Sequence, residues 1–181
     1  MGRLSYQFQL IQAIRNYFNS QGFLDVLTPP AVENPGMETH IHPFQLYQPK
    51  SKTLDPRFLH TSPEFCMKAL LANKDEDFDN IFTISYCFRD EPNSEIHRSQ
   101  FLMLEWYRKN AFYTKIMDDC EGLIAHTQSF FQDKNIALKK EITSFERVTI
   151  QDLFQDTIGI NILDFLDAKE LEKKIRADFK G

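Results

Sequence analysis

The chain is 181 residues long, with 21 lysines and arginines against 26 aspartates and glutamates and a formal net charge of −5. That length fits one domain with a substantial core, and the acidic balance argues against a broad nucleic-acid-binding surface while leaving room for a local basic patch. No apolar run reaches membrane-span length, the N-terminus lacks the apolar stretch of a secretory signal, and Cys66, Cys87 and Cys120 are too scattered for a zinc site, so free thiols in a reducing cytosol are expected.

In chain order, Leu4, Phe8, Ile11, Ile14 and Phe18 recur at helical spacing, and Gly22 is placed to end that helix. Phe23–Leu27 reads as a short strand stopped by Pro29 and Pro30. Residues 31–57 are proline-rich and read as loop, with one strand expected at Pro43–Gln48. His40 and His42 alternate on an extended segment, too meagre a set by itself for a metal site. Ser62 suits a helix N-cap, with Pro63 at the first helical position, Glu64 in the first turn and the helix running to about Asn73. On the residues alone, Glu64 complements the helix dipole. Asp75–Asn80 is an acidic turn.

The next segments carry the strongest pattern. Along Ile81–Arg89, Phe82, Ile84, Tyr86 and Phe88 share one face, and Thr83, Ser85, Cys87 and Arg89 the other. Along Phe101–Tyr107, Leu102, Leu104 and Trp106 oppose Phe101, Met103, Glu105 and Tyr107. Period-two alternation rich in aromatic and β-branched residues predicts strands, with the two apolar rows against a core. As an antiparallel hairpin they would put Arg89 near Phe101 at the loop end, with Glu105 and Tyr107 further in. A guanidinium fork matches phosphate, an aromatic ring offers a base a stacking surface worth ~1–3 kcal/mol, and an inner carboxylate favours an amine. The residues alone fit equally well a solvated face with a surface Arg–Glu pair worth ~0–1 kcal/mol.

Tyr113, Ile116, Met117, Cys120, Leu123, Ile124, Phe130 and Phe131 form a second helical stripe, which reads as core. Glu146–Ile150 is expected to be a short strand leading into a helix near Gln151–Thr157, and Ala168–Phe179 a charged C-terminal helix. No repeat or low-complexity tract divides the chain, so one domain over residues 1–181 is expected.

Three segments together resemble a known family. Phe88-Arg-Asp-Glu91, a loop with His97, and Phe101-Leu-Met-Leu-Glu-Trp-Tyr107 look like motif 2 of class II aminoacyl-tRNA synthetases. Gln21-Gly-Phe-Leu-Asp-Val-Leu-Thr-Pro-Pro30 resembles motif 1. Thr61-Ser-Pro-Glu-Phe-Cys-Met-Lys-Ala-Leu-Leu71 is similar to a segment of the lysyl branch, and within it of the ligases that attach a lysine derivative to elongation factor P. The resemblance covers most of residues 4–130 and fades beyond.

The resemblance implies an α+β domain, an antiparallel sheet flanked by helices, forming part of a catalytic domain. It implies a homodimer through the first helix and strand, although an ordinary core helix and strand would fit those residues too. It implies ATP-dependent activation of lysine or a lysine-like amino acid, with magnesium arriving on the nucleotide. The acceptor would be elongation factor P, with tRNA as the alternative. Arg89 would be the catalytic phosphate clamp. Arg89, Asp90, Glu91, His97, Arg98 and Phe101 would bind ATP, Glu91 contacting the adenine and Phe101 stacking on it. Ser62, Pro63, Glu64, Glu105 and Tyr107 would bind the amino acid, Glu64 at its α-amino group and Glu105 with Tyr107 at its side-chain amine. No protein metal ligands, no membrane association and a cytoplasmic location are expected.

Three departures stand out. Arg98 occupies a position where the lysyl group usually has Asn, and Ser99-Gln100 replaces the common Pro-Glu beside the stacking Phe. Motif 3, a Gly-rich stretch followed by an ATP-binding Arg, is missing, as is the family's second lysine-contacting segment: the six glycines are scattered, and no Gly-x-Gly precedes an Arg. Motif 1 begins almost at Met1, without the anticodon-binding barrel of lysyl-tRNA synthetases, which favours the elongation factor P ligases. A non-enzymatic paralogue that kept the fold for binding is the remaining reading.

Overall fold

The computed structural model describes residues 3–36, 38–91 and 94–178, gathered into two compact units, Met1–Glu141 and Ile142–Gly181. The first unit opens with helix α1, Arg3–Ser20, which ends where Gly22 adopts a φ of 75°. Strand β1 follows, but spans only Leu24–Asp25 of the five residues expected.

The segment expected to be mostly loop contains β2 (Ala31–Val32), β3 (Gln45–Gln48) and β4 (Thr53–Leu59), in the antiparallel order β2-β4-β3. Pro56 hides β4 in the sequence, because a proline cannot donate to a ladder. The register resolves this: it shifts between the Gln45↔Phe58 and Tyr47↔Leu54 pairs, so Pro56 falls in a bulge that asks for no ladder N–H. Asp55 ties the bulge together. Its carboxylate accepts from the Arg57 backbone N–H at 2.9 Å, from Arg57 Nε and Nη2, and from Gln48 Nε2 at 2.6 Å. These bonds, the one from the Arg57 guanidinium foremost, hold its carboxyl well below the usual carboxylate range.

Helix α2 covers Glu64–Ala72. Ser62 does not cap it. The cap residue is Pro63, without a side-chain bond, and the Met67 N–H reaches the Pro63 carbonyl at 3.0 Å. Proline fits there because it has no N–H to leave orphaned.

Strands β5 (Asn80–Phe88) and β6 (Gln100–Arg108) form the expected antiparallel ribbon, and β1 lies parallel to β5 in a sheet ordered β1-β5-β6. β5 buries side chains on both faces. Phe82 stacks on Phe18 with ring centroids 4.9 Å apart, in a cluster with Tyr17, Phe23, Leu104 and Trp106. Ile81 packs on the other side with Val26, Met67 and Tyr107. Full burial of one such side chain contributes about 1.5–3 kcal/mol. Tyr86, expected in the core row, is 53% exposed instead. Helix α3, Tyr113–Asp133, packs on α1 where Gly122 leaves room for the Tyr17 ring, which a Cβ would strike.

In the second unit, α4 spans Ile150–Ile158 and α5 spans Ala168–Asp178, with a single 3-10 turn at Ile162–Asp164. The strand expected at Glu146–Ile150 is not formed. Thr149 Oγ1 accepts the Asp152 N–H at 3.0 Å while donating to the Asp152 carboxylate at 2.6 Å, and this reciprocal cap starts a helix at Ile150. Gly159 closes that helix at a φ of 70°. Among the described residues no helix is long and apolar enough to cross a membrane.

Candidate functional site

The ladder pairs Cys87 with Phe101, Ser85 with Met103, Thr83 with Glu105 and Ile81 with Tyr107, so these side chains share one face. Pairing continues one step into the loop, where the Arg89 N–H bonds the Ser99 carbonyl at 2.9 Å. The Arg89 guanidinium then lies over the Phe101 ring, 5.1 Å from its centroid, with Nε 3.4 Å from the Thr61 carbonyl. A ring beneath and a carbonyl at Nε fix the plane of the fork. Nη1 and Nη2 have no protein partner among the described residues.

A cavity of about 260 Å³ opens at this end, lined by Arg89, Glu91, Ile96, His97, Arg98 and Phe101. Its loop wall is internally bonded. Ser94 Oγ pairs with His97 Nδ1 at 3.0 Å and accepts the His97 N–H at 3.1 Å. Arg98 Nη1 donates to the carbonyls of Ser94 at 2.5 Å and His97 at 3.2 Å, so this guanidinium is partly spent on shaping the loop.

At the inner end, the Tyr107 hydroxyl donates to Glu105 Oε1 at 2.5 Å. Burial pushes both groups up: the Glu105 carboxyl above its ordinary 4.5, and the Tyr107 hydroxyl further through burial and its bond to that carboxylate. Glu105 also feels Glu64, Lys68 and His60, so α2 and the segment before it face the same space. Glu64 is engaged in an ion pair with Lys68 one helical turn on. Between the two ends lies Cys87, buried, its thiol pushed up to about 11 by desolvation and lying within the influence of both Arg89 and Glu105.

A raised carboxyl has a defined consequence for stability. The folded chain binds this proton more readily than the unfolded chain, so stability is lost as pH rises from the ordinary value of 4.5 through the raised one. Glu105→Gln is expected to flatten that decline in urea unfolding measured across this window. Identical slopes for both proteins would mean that Glu105 is solvated.

The structure thus gathers Arg89, Glu91, His97, Arg98 and Phe101 around one cavity, and Glu105 and Tyr107 at the other end of the same face, with Glu64 of α2 near enough for its charge to act on Glu105. Asp90 does not line the cavity; it is exposed, and its backbone N–H bonds the His42 carbonyl at 2.7 Å. Ser62 and Pro63 serve as the link between Thr61 and α2. Sequence reasoning passed over Lys68 and, more tellingly, His60, which is 1% exposed beside the quoted motif. No local pattern marks His60 in the sequence, because its ring is engaged by a residue 26 positions away.

A family model described as tRNA synthetases class II (D, K and N) matches residues 2–177. An elongation factor P–(R)-beta-lysine ligase homolog from Aquifex aeolicus is 29% identical over 170 residues, 93% of this chain and 53% of its own length. An elongation factor P–(R)-beta-lysine ligase from Vibrio campbellii is 34% identical over 166 residues, 88% of this chain and 46% of its own. One from Histophilus somni is 31% identical over 173 residues, 93% of this chain and 48% of its own. The chain spans about half the length of the curated relatives it matches.

Proposed function

The chain belongs to the class II tRNA synthetases (D, K and N), and from that premise we propose that its cleft serves to activate lysine or a lysine-like amino acid with ATP, for transfer to elongation factor P. One observation supports the reading: the β5–β6 register puts a guanidinium and a half-buried carboxyl on a single face, one at each end. An amino acid with a cationic side chain presents the complementary pair of charges. The relatives' names supply the acceptor.

In the proposed reaction, an oxygen of the substrate carboxylate attacks the α-phosphorus of ATP. The bond to the β-phosphate breaks, and pyrophosphate leaves with the electron pair. Arg89 Nη1 and Nη2 hold the α-phosphate and the attacking carboxylate together, which is positioning and charge neutralisation rather than covalent work. Phe101 offers the adenine the ring surface that the guanidinium leaves, with Glu91 at the base edge and His97 toward the phosphate tail. Glu64 receives the α-amino group, and Glu105 with Tyr107 receives the side-chain amine. Magnesium would arrive with the nucleotide, neutralise phosphate charge and need few protein ligands.

The test is lysine-dependent exchange of pyrophosphate into ATP, by this chain and by any longer form of it, with calorimetric titration of ATP alongside. Exchange should require a side-chain amine. Equal exchange with norleucine, or no ATP binding at all, would overturn the reading, whereas ATP binding without exchange would favour a paralogue that only binds.

Pairing of two copies through α1 and β1 is part of the proposal. Leu4, Phe8, Leu24 and Leu27 support it, being 67%, 64%, 51% and 88% exposed. Phe8→Glu should then sediment as a monomer, while an unchanged dimer would place the interface elsewhere.

A further inference from the structure

We infer that His60 is a positioning residue for Arg89, acting through the edge of strand β5; this deepens the proposed function and rests on it. Past Phe82, whose carbonyl takes the Val26 N–H at 2.8 Å, β5 has no strand on its β1 side among the described residues. His60 occupies that edge with both parts of the residue. Its ring Nε2 lies 2.7 Å from the Tyr86 carbonyl, and its own carbonyl accepts the Phe88 N–H at 3.1 Å. A carbonyl only accepts, so the ring nitrogen facing Tyr86 is the one that carries the proton.

The bonds around His60 run straight to the clamp. The His60 N–H bonds the Pro30 carbonyl at 2.9 Å, which stitches the end of β4 to the turn after β1. Next along the chain, the Thr61 N–H and hydroxyl both reach the Pro35 carbonyl, at 3.2 and 2.7 Å. These contacts hold Thr61, and its own carbonyl is the one facing Arg89 Nε at 3.4 Å. Thr61 leads through Ser62 and Pro63 to Glu64, so a single two-residue strap sets both the fork and the acid of α2. Among the described residues, His60 Nδ1 is buried without a partner. An apolar ring would avoid that orphaned acceptor, so the polar residue is explained by what Nε2 does.

The experiment uses this chain and the variants His60→Leu, His60→Asn and His60→Gln. A glutamine amide reaches the Tyr86 carbonyl, a leucine carries no donor, and an asparagine amide falls short. The first readout is the Arg89 Nε–Hε signal in nitrogen-15 spectra, identified by its loss in Arg89→Lys. The second is ATP affinity by calorimetry. His60→Leu and His60→Asn should move the Arg89 signal and weaken ATP by about 10- to 100-fold, the scale of a misplacement near 1 Å. His60→Gln should do neither. If His60→Leu fails to fold, the shorter amide carries the comparison. An unmoved Arg89 signal in the folded variants overturns the inference. A moved signal in a chain that binds no ATP upholds the positioning and removes the nucleotide reading instead.

Discussion

Arg89→Ala should cut lysine-dependent pyrophosphate exchange by about 10²–10³-fold or more in the protein that carries this chain, the cost of removing one preorganised oxyanion donor. The expectation follows from how the guanidinium is held. Phe101 lies beneath it, the Thr61 carbonyl takes Nε, and the two terminal nitrogens have no partner among the described residues at a cavity that Arg89 lines. A ligand oxyanion therefore meets a fork that needs no reorganisation. Arg89→Lys should not restore exchange, because an ammonium lacks the planar bidentate geometry. Thermal unfolding should change little in either variant, within the roughly ±0.5 kcal/mol of ordinary surface substitutions. Arg89→Ala exchanging at the parental rate would show that the phosphate is held by some other group.

Asp119→Ala should destabilise the fold by about 3–5 kcal/mol, because it strands a buried cation. Arg108, on β6, gives Asp119, on α3, two parallel bonds, Nε to Oδ2 at 2.7 Å and Nη2 to Oδ1 at 2.8 Å. The two side chains are 11% and 2% exposed. The guanidinium also lies 4.3 Å from the Phe23 ring centroid, so it fastens α3 and β6 to the turn between α1 and β1. Nearby, burial and the Asp119 charge push the Tyr17 hydroxyl up. Removing both charges in Arg108→Met with Asp119→Leu should cost less than Asp119→Ala alone, since no charge is then left uncompensated. Urea-unfolding midpoints of the three proteins decide this. A loss under about 1 kcal/mol in Asp119→Ala would place the pair with ordinary surface ion pairs.

What could be read in advance was whatever depended on neighbours in the sequence. The β5–β6 ribbon declared itself by alternation, and the odd-numbered residues of both strands fell on one face, so Arg89 with Phe101 and Glu105 with Tyr107 followed. Two errors came from equally local signals that others outranked. A reciprocal Thr149–Asp152 cap overrode strand-like residues before α4, and Pro56 concealed a strand whose bulge accommodates it. The His60–Tyr86 and Thr61–Pro35 bonds each join residues 26 positions apart. No periodicity encodes such pairings; they exist only once distant segments meet in the fold. The outline of the site was therefore legible, and the strap that aims it was not.

Cys87 has a practical consequence of its own. A sulfhydryl at about 11 stays protonated at cellular acidity, and the protonated form is a poor nucleophile toward alkylating reagents and oxidants. It can react only when the cover over this face of the ribbon momentarily lifts, so its rate of chemical tagging keeps time for the opening of the face on which Arg89 and Glu105 both stand.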